Sequence, residues 1–113
     1  MAINTANFID NNCTIANGGT TSGVVDLQGR GLVAFILPAA FTGTAITFQV
    51  SADGTNFYDC YNSANSQMTC TVTQGRAYML DPGDLVAVRF IKLVSNAAEG
   101  AERTITLIAR DLQ

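Results

Sequence analysis

Histidine and tryptophan are absent from this 113-residue sequence. Without histidine the chain lacks the commonest general base near neutral pH and the commonest metal ligand. Without tryptophan, and with Tyr58, Tyr61 and Tyr78 falling mostly at strand positions, it offers a weak aromatic platform for stacking a sugar. Charge is scarce: 13% of residues are Asp, Glu, Lys or Arg, where about 25% is usual in a soluble domain. The basic residues Arg30, Arg76, Arg89, Lys92, Arg103 and Arg110 stand singly, and the net charge is −3. Nucleic-acid and anionic-lipid binding both need clustered cations, so neither partner is expected. The longest apolar run, Gly31–Ala40, falls far short of the ~20 residues that span a bilayer. The opening MAINTANFIDNN has no positive n-region and no apolar h-region, so no secretory signal is expected and synthesis is placed in the cytoplasm.

Cysteine is sparse as well. Cys13, Cys60 and Cys70 make an odd number, with no C-x-x-C spacing, so a zinc site is not expected. Cys60 and Cys70 alternate with core-facing types and read as small buried thiols. A Cys60–Cys70 bridge is the sharper alternative, disfavoured by a reducing cytoplasm.

What the chain does have is 48% hydrophobic residues, enough for the core of a single small domain, and a polar surface made of Thr, Ser, Asn and Gln. Such a surface suits a chain that packs against neighbours. The strongest local signal is TAITFQVSADGTNFYDCYN, Thr44–Asn62. Ile46, Phe48, Val50 and Ala52 alternate with Thr47, Gln49 and Ser51, the period of a strand with one buried face. Asp53-Gly54 lets the chain reverse, so a β-hairpin is expected around a tight Asp-Gly-Thr-Asn connection.

Further strands are expected on both sides of it. Residues 1–12 read as an extended N-terminal arm, with Phe8 and Ile9 able to dock on a neighbouring subunit, and residues 13–113 as the sandwich domain. Cys13–Asn17 and Ser22–Gln28 are short strands, the second with Val25 and Leu27 on one face. Leu32–Leu37 is apolar at every position, so both of its faces must be covered, either from within the domain or by another subunit. Met68–Thr73 and Ala77–Leu80 alternate again, and Asp81-Pro82-Gly83-Asp84 is a turn. Leu85–Ser95 is a long strand whose parity switches at Phe90-Ile91, which implies a β-bulge or burial on both sides. Arg103–Arg110 places Ile105, Leu107 and Ala109 inward. About eight strands at this spacing, with no helical pattern, give an all-β, antiparallel jelly-roll or β-sandwich of one domain.

Little catalytic chemistry is legible. No Ser sits in G-x-S-x-G, and no glycine-rich loop precedes a helix. The carboxylates Asp53, Asp59, Asp81, Asp84, Glu99 and Glu102 lie mostly at turns, where they accept local backbone hydrogen bonds. Asp81 and Asp84 have the oxygen chemistry of a calcium loop, but capping a turn is the simpler role. No enzyme activity and no cofactor are expected.

Two resemblances add to this reading. Ile46–Asp59 (ITFQVSADGTNFYD), followed by Val88–Ser95 (VRFIKLVS), is similar at the level of fold to discoidin-type galactose-binding jelly rolls. Over Thr14–Arg110 the chain resembles small proteins encoded in the structural modules of tailed bacteriophages, through TIANGGTTSGVVDLQGRGLVAFILPAAFTGTAITFQVSADGTNFYD, GRAYMLDPGDLVAVRFIKLVS and ERTITLIAR. That likeness implies a virion component without catalysis, a capsid decoration or cement protein at the surface of the head. It implies the major capsid protein or another virion protein as partner, and a homo-oligomer, a trimer in many cement proteins. Phe8, Ile9, Phe35 and Phe41 are then the expected interface residues. The alternative is a carbohydrate-binding jelly-roll module on a tail or fibre, using the loops near Asp53–Phe57 and Asp81–Asp84.

Overall fold

The structure, a computed structural model, describes residues 8–81, 85 and 88–110, with residues 8–11 described at the backbone only. Among these residues there are nine strands and no helix: β1 (Phe8–Ile15), β2 (Val25–Asp26), β3 (Gly31–Ile36), β4 (Ala45–Ser51), β5 (Tyr58–Asp59), β6 (Thr69–Thr71), β7 (Ala77–Met79), β8 (Phe90–Ser95) and β9 (Arg103–Arg110). One sheet has the order β1-β9-β3-β7, and the other has β2-β8-β4-β5 with β6 also on β4. Every pairing is antiparallel.

β5 and β6 lie along the same edge of β4. Tyr58 and Asp59 face Val50 and Gln49, the Cys60 N–H donates to the Phe48 carbonyl at 2.9 Å, and Thr69, Cys70 and Thr71 then face Thr47, Ile46 and Ala45. They are one strand broken by an excursion at residues 61–68. With that strand counted once, the two sheets have four strands each, and the chain crosses between them at every connection except the β4–β5 hairpin, which is the jelly-roll order.

The alternation read from the sequence sets the two inner faces. Ile46 and Phe48 on β4, Ile91 and Leu93 on β8, and Ile105 and Leu107 on β9 are all fully buried. Each such side chain adds roughly 1.5–3 kcal/mol relative to exposure. Phe35 joins the sheets. Its ring meets Phe48 edge-on at 6.4 Å between centroids and stacks on Tyr78 of β7 at 5.7 Å. The Tyr78 hydroxyl accepts the Thr73 N–H at 2.6 Å, so the polar end of this half-buried ring is satisfied.

The uniformly apolar β3 is explained by a bulge. Leu32 lies opposite Ala109 and Ala34 opposite Ile108, leaving Val33 as the extra residue. The bulge resets the parity. Leu32, Phe35 and Leu37 face the core, while Ile36, opposite Thr106, turns outward and stays 38% exposed.

Strand boundaries differ from the sequence expectation. Residues 8–12, assigned to the arm, are the first part of β1, whose whole length pairs with β9 from Phe8 opposite Arg110 to Ile15 opposite Arg103. Backbone hydrogen bonding in the chain's own sheet has claimed that segment. The strand expected from Leu85 begins only at Phe90. Leu85 is buried in a turn whose carbonyl accepts the Val88 N–H at 3.3 Å, so the parity switch marks a strand start rather than a bulge within a strand. Residues 82–84 of the Asp-Pro-Gly-Asp turn, and Val86, lie outside the described residues.

The central hairpin is present, but its connection runs from Ser51 to Tyr58, longer than expected. Asp53 explains the length. Its Oδ1 accepts the N–H groups of Thr55 and Asn56 and the Ser51 hydroxyl, each at 2.9 Å, and its Oδ2 accepts Asn56 Nδ2 at 2.8 Å. Gly54, at φ +81°, lies against the Phe90 ring, where an added Cβ would come to 3.3 Å. The Asn56 and Thr55 N–H groups, with the Asn56 and Ser51 side chains, hold the Asp53 carboxyl far below the usual carboxylate range. A depressed folded value means the stabilisation is complete above the unfolded value near 3.8 and is lost as pH falls through the folded one. Asp53→Ala is therefore expected to lower the melting temperature at pH 7, with a penalty that shrinks as melts are repeated toward pH 2. A pH-independent penalty would refute the carboxylate's role.

Candidate functional site

Two of the expected interface residues are in the core. Phe35 is 0% exposed and Phe41 is 2% exposed, so neither offers surface to a second chain. The physical reasons are the bulge at Val33, which directs Phe35 inward, and the packing of the Phe41 ring into the core cluster. The backbones of Phe8 and Ile9 pair with Arg110 and Ala109, and their side chains lie outside the described residues.

The exposed apolar surface lies elsewhere. On the outer face of β1-β9-β3-β7, Ile36 pairs with Ala77 and Ala34 with Met79. Met79 is 73% exposed, Ala77 is exposed, and Ile108 of β9, opposite Ala34, is half-buried. Thr104 and Thr106 extend this strip along β9. Among the described side chains the strip carries no charge between Met79 and Thr104, and Asp10 stands opposite Ile108 in the β1–β9 register. The alternation of Ala77 and Met79 about inward Tyr78 was the available sequence signal.

A second exposed group lies by the broken strand. Tyr58 is 68% exposed and Tyr61 52% exposed, although Tyr58 has core parity beside Val50. On the outer face of the same sheet, the Lys92 ammonium sits 4.4 Å from the centre of the Phe57 ring and Arg89 lies 5.0 Å from that of Phe90.

The most tightly built polar cluster surrounds Glu99. Its Oε1 accepts the Thr42 N–H at 2.8 Å and Arg103 Nε at 3.0 Å. Its Oε2 accepts the Gly43 N–H at 3.0 Å and the Ser95 hydroxyl at 3.1 Å. The carboxylate side chain is fully buried. Burial pushes the Glu99 carboxyl upward, but these four donors outweigh it and hold the group below its ordinary value. Gly43 is required here: a Cβ would collide with Ser95 Oγ and stand 2.9 Å from the Phe41 ring. With both oxygens occupied and no open face, Glu99 clamps the 41–44 loop to the β8–β9 connection and is not placed to move a proton. Its partners Thr42 and Gly43 are distant in sequence, unlike the local acceptance expected of turn carboxylates.

Burial pushes the Cys13 thiol up to about 11, which makes it a poor nucleophile. Cys60 and Cys70 are half-buried thiols, so the bridge between them is not formed. Two shallow clefts occur, of about 260 Å³ beside Met68 and Cys70 and about 240 Å³ beside Phe41 and Val72. Among the described residues no three His, Cys, Asp or Glu side chains gather as a metal cluster, and no helix is long and apolar enough to cross a membrane. No protein-family model matches the chain, and neither a curated protein nor a solved structure matches it.

Proposed function

We propose that this chain is a structural bacteriophage virion protein, a capsid decoration or cement protein that binds across neighbouring capsomers at the surface of the head. The observation that carries the reading is the exposed apolar strip of Ile36, Ala77, Met79 and Ile108 on the outer face of the β1-β9-β3-β7 sheet. The strand backbone under these side chains is already ordered by the sheet, so docking costs mainly the rotamer freedom of Met79. The partner is the major capsid protein or another virion protein, and self-association into a trimer would present several strips at once. Binding that occurs only on the assembled shell stabilises that shell by mass action, and many modest contacts sum over the particle.

The test mixes purified protein with undecorated shells, followed by co-sedimentation and electron microscopy. Wild-type protein is expected to occupy regular sites and to raise the temperature at which shells rupture. The double variant Ile36→Asp, Met79→Asp is expected to lose binding at least about tenfold, the effect of ~1.4 kcal/mol. At Met79, 73% exposed, the change should alter stability by no more than about 0.5 kcal/mol. At Ile36, 38% exposed, a carboxylate costs more, so Met79→Asp alone is measured beside the double variant and its melting temperature checked. Absence of wild-type binding would defeat the reading.

Exposed Tyr58 and Tyr61 favour a second reading, a carbohydrate-binding module on a tail or fibre. It draws no support from the loop at Asp53, whose oxygens are already engaged. Glycan-array binding that disappears on Tyr58→Ala would select it over the first.

A further inference from the structure

Sulphur is concentrated where β5 and β6 meet. Cys60 Sγ lies 3.4 Å from Met68 Sδ, and the Met68 N–H donates to the Cys60 carbonyl at 2.9 Å. These two residues close the base of the 61–68 excursion. Cys70 follows on the same edge of β4. Cys60 stands opposite Phe48 and Cys70 opposite Ile46. Phe48 and Ile46 both face inward, so the two thiols share that face, two strand positions or about 7 Å apart along the edge. Met68 and Cys70 line the same cleft of about 260 Å³, against the apolar side chains of Phe48 and Leu80.

The excursion holds this arrangement from outside. Asn62 Oδ1 accepts the Ala64 and Ser66 N–H groups at 2.9 and 3.0 Å, the Asn62 N–H donates to the Ser66 carbonyl at 2.9 Å, and Asn65 takes φ +63° to make the reversal. The base of the loop is therefore set by local hydrogen bonds and not by whatever occupies the cleft.

Two thiols and one thioether on one half-buried face are soft donors. Among the described residues the cleft is also lined by the neutral side chains of Asn62, Gln67 and Thr69, and by no carboxylate. Same-face positions along one strand edge are too far apart for the Cβ separation of about 3.5–4.5 Å that a disulfide needs. A cation bridging two sulphurs at about 2.3 Å from each spans a wider gap. We propose that Cys60, Met68 and Cys70 form a three-sulphur site for a soft monovalent cation of the Cu(I) type. On binding, each thiol loses its proton to solvent and its sulphur donates a lone pair to the metal. The thioether donates without deprotonation. The metal enters and remains as Cu(I), so two protons leave and no electron is transferred. Hard, hydrated cations are disfavoured by the same donors. The site is independent of the virion reading.

The experiment uses the full chain, reduced and kept free of oxygen, titrated with Cu(I) as its acetonitrile complex in competition with bathocuproine disulfonate. One Cu(I) per chain is expected to be retained, with X-ray absorption showing a shell of sulphur alone. Bound Cu(I) should also suppress alkylation of Cys60 and Cys70 by N-ethylmaleimide. Cys60→Ser and Cys70→Ser should each weaken binding at least ~100-fold and Met68→Leu about 10-fold, since even outer-shell changes cost ~10–100-fold. Failure to retain Cu(I), a shell of nitrogen or oxygen, or unchanged affinity in both serine variants would overturn the site. Should a variant not fold, the wild-type alkylation pattern decides: unprotected thiols at full Cu(I) loading refute it.

Discussion

Glu99→Ala is expected to lower the free energy of unfolding by about 3–5 kcal/mol, the cost of breaking a buried ion pair on one side. For a domain of this size that corresponds to a drop of roughly 10–20 °C in melting temperature. The loss has two sources. The substitution leaves the Thr42 and Gly43 N–H groups without their acceptor, and it removes the carboxylate partner of the Arg103 guanidinium at a side chain only 15% exposed, while the Ser95 hydroxyl keeps the Ala97 carbonyl. Glu99→Gln keeps the shape but offers one acceptor oxygen and an NH₂ that faces donors, so most of the loss should remain. The pH dependence follows from the depressed folded value. Stability from this carboxylate is complete above its unfolded value near 4.5 and is lost as pH falls through the folded one. Urea unfolding at pH 7 and pH 3 therefore should show a large difference between wild type and Glu99→Ala at pH 7 and a smaller one at pH 3. Equal stability of the two proteins at pH 7 would contradict the clamp.

Phe35→Ala is expected to cost about 3–5 kcal/mol, in the range for removing a core aromatic ring. The ring is 0% exposed and is the contact through which Phe48 of one sheet and Tyr78 of the other are packed together. Its removal leaves a cavity lined from both sheets, which a sandwich cannot close without shifting one layer over the other. Met79→Ala on the outside of the same sheet should change stability by less than about 0.5 kcal/mol. Chemical denaturation of the two variants separates a core role from a surface role. Had Phe35 been an interface residue, its substitution would spare the isolated chain and weaken association instead.

The inner faces were legible from periodicity alone. Ile46 and Phe48, and Ile105 and Leu107, alternate in a plain period of two, and the structure buries them as that period requires. The all-β sandwich followed from such segments repeated at short spacing. What periodicity could not show was the bulge at Val33, because six consecutive apolar residues carry no parity to reset. That single extra residue decides that Phe35 goes in and Ile36 goes out, and so moves the candidate surface from one to the other. The Glu99 clamp was illegible for another reason. Its donors Thr42 and Gly43 are backbone groups more than fifty positions away, and backbone groups leave no mark in a sequence. The broken strand was hidden because β5 and β6 are each too short to announce themselves, and only their common register against β4 makes them one.

The longest strand pair has a kinetic consequence. β1 and β9 are paired along their whole length, from Phe8 with Arg110 to Ile15 with Arg103, so almost the entire described chain lies between partners. Chain entropy must be surrendered before any of those rungs can form, and nothing nearby in the chain offers a shorter route. Until β1 arrives, the free side of β9 is an open strand edge, to which the corresponding segment of another nascent copy could add equally well. Speed of closure, more than final stability, then governs how cleanly the protein reaches its native state in a crowded cell.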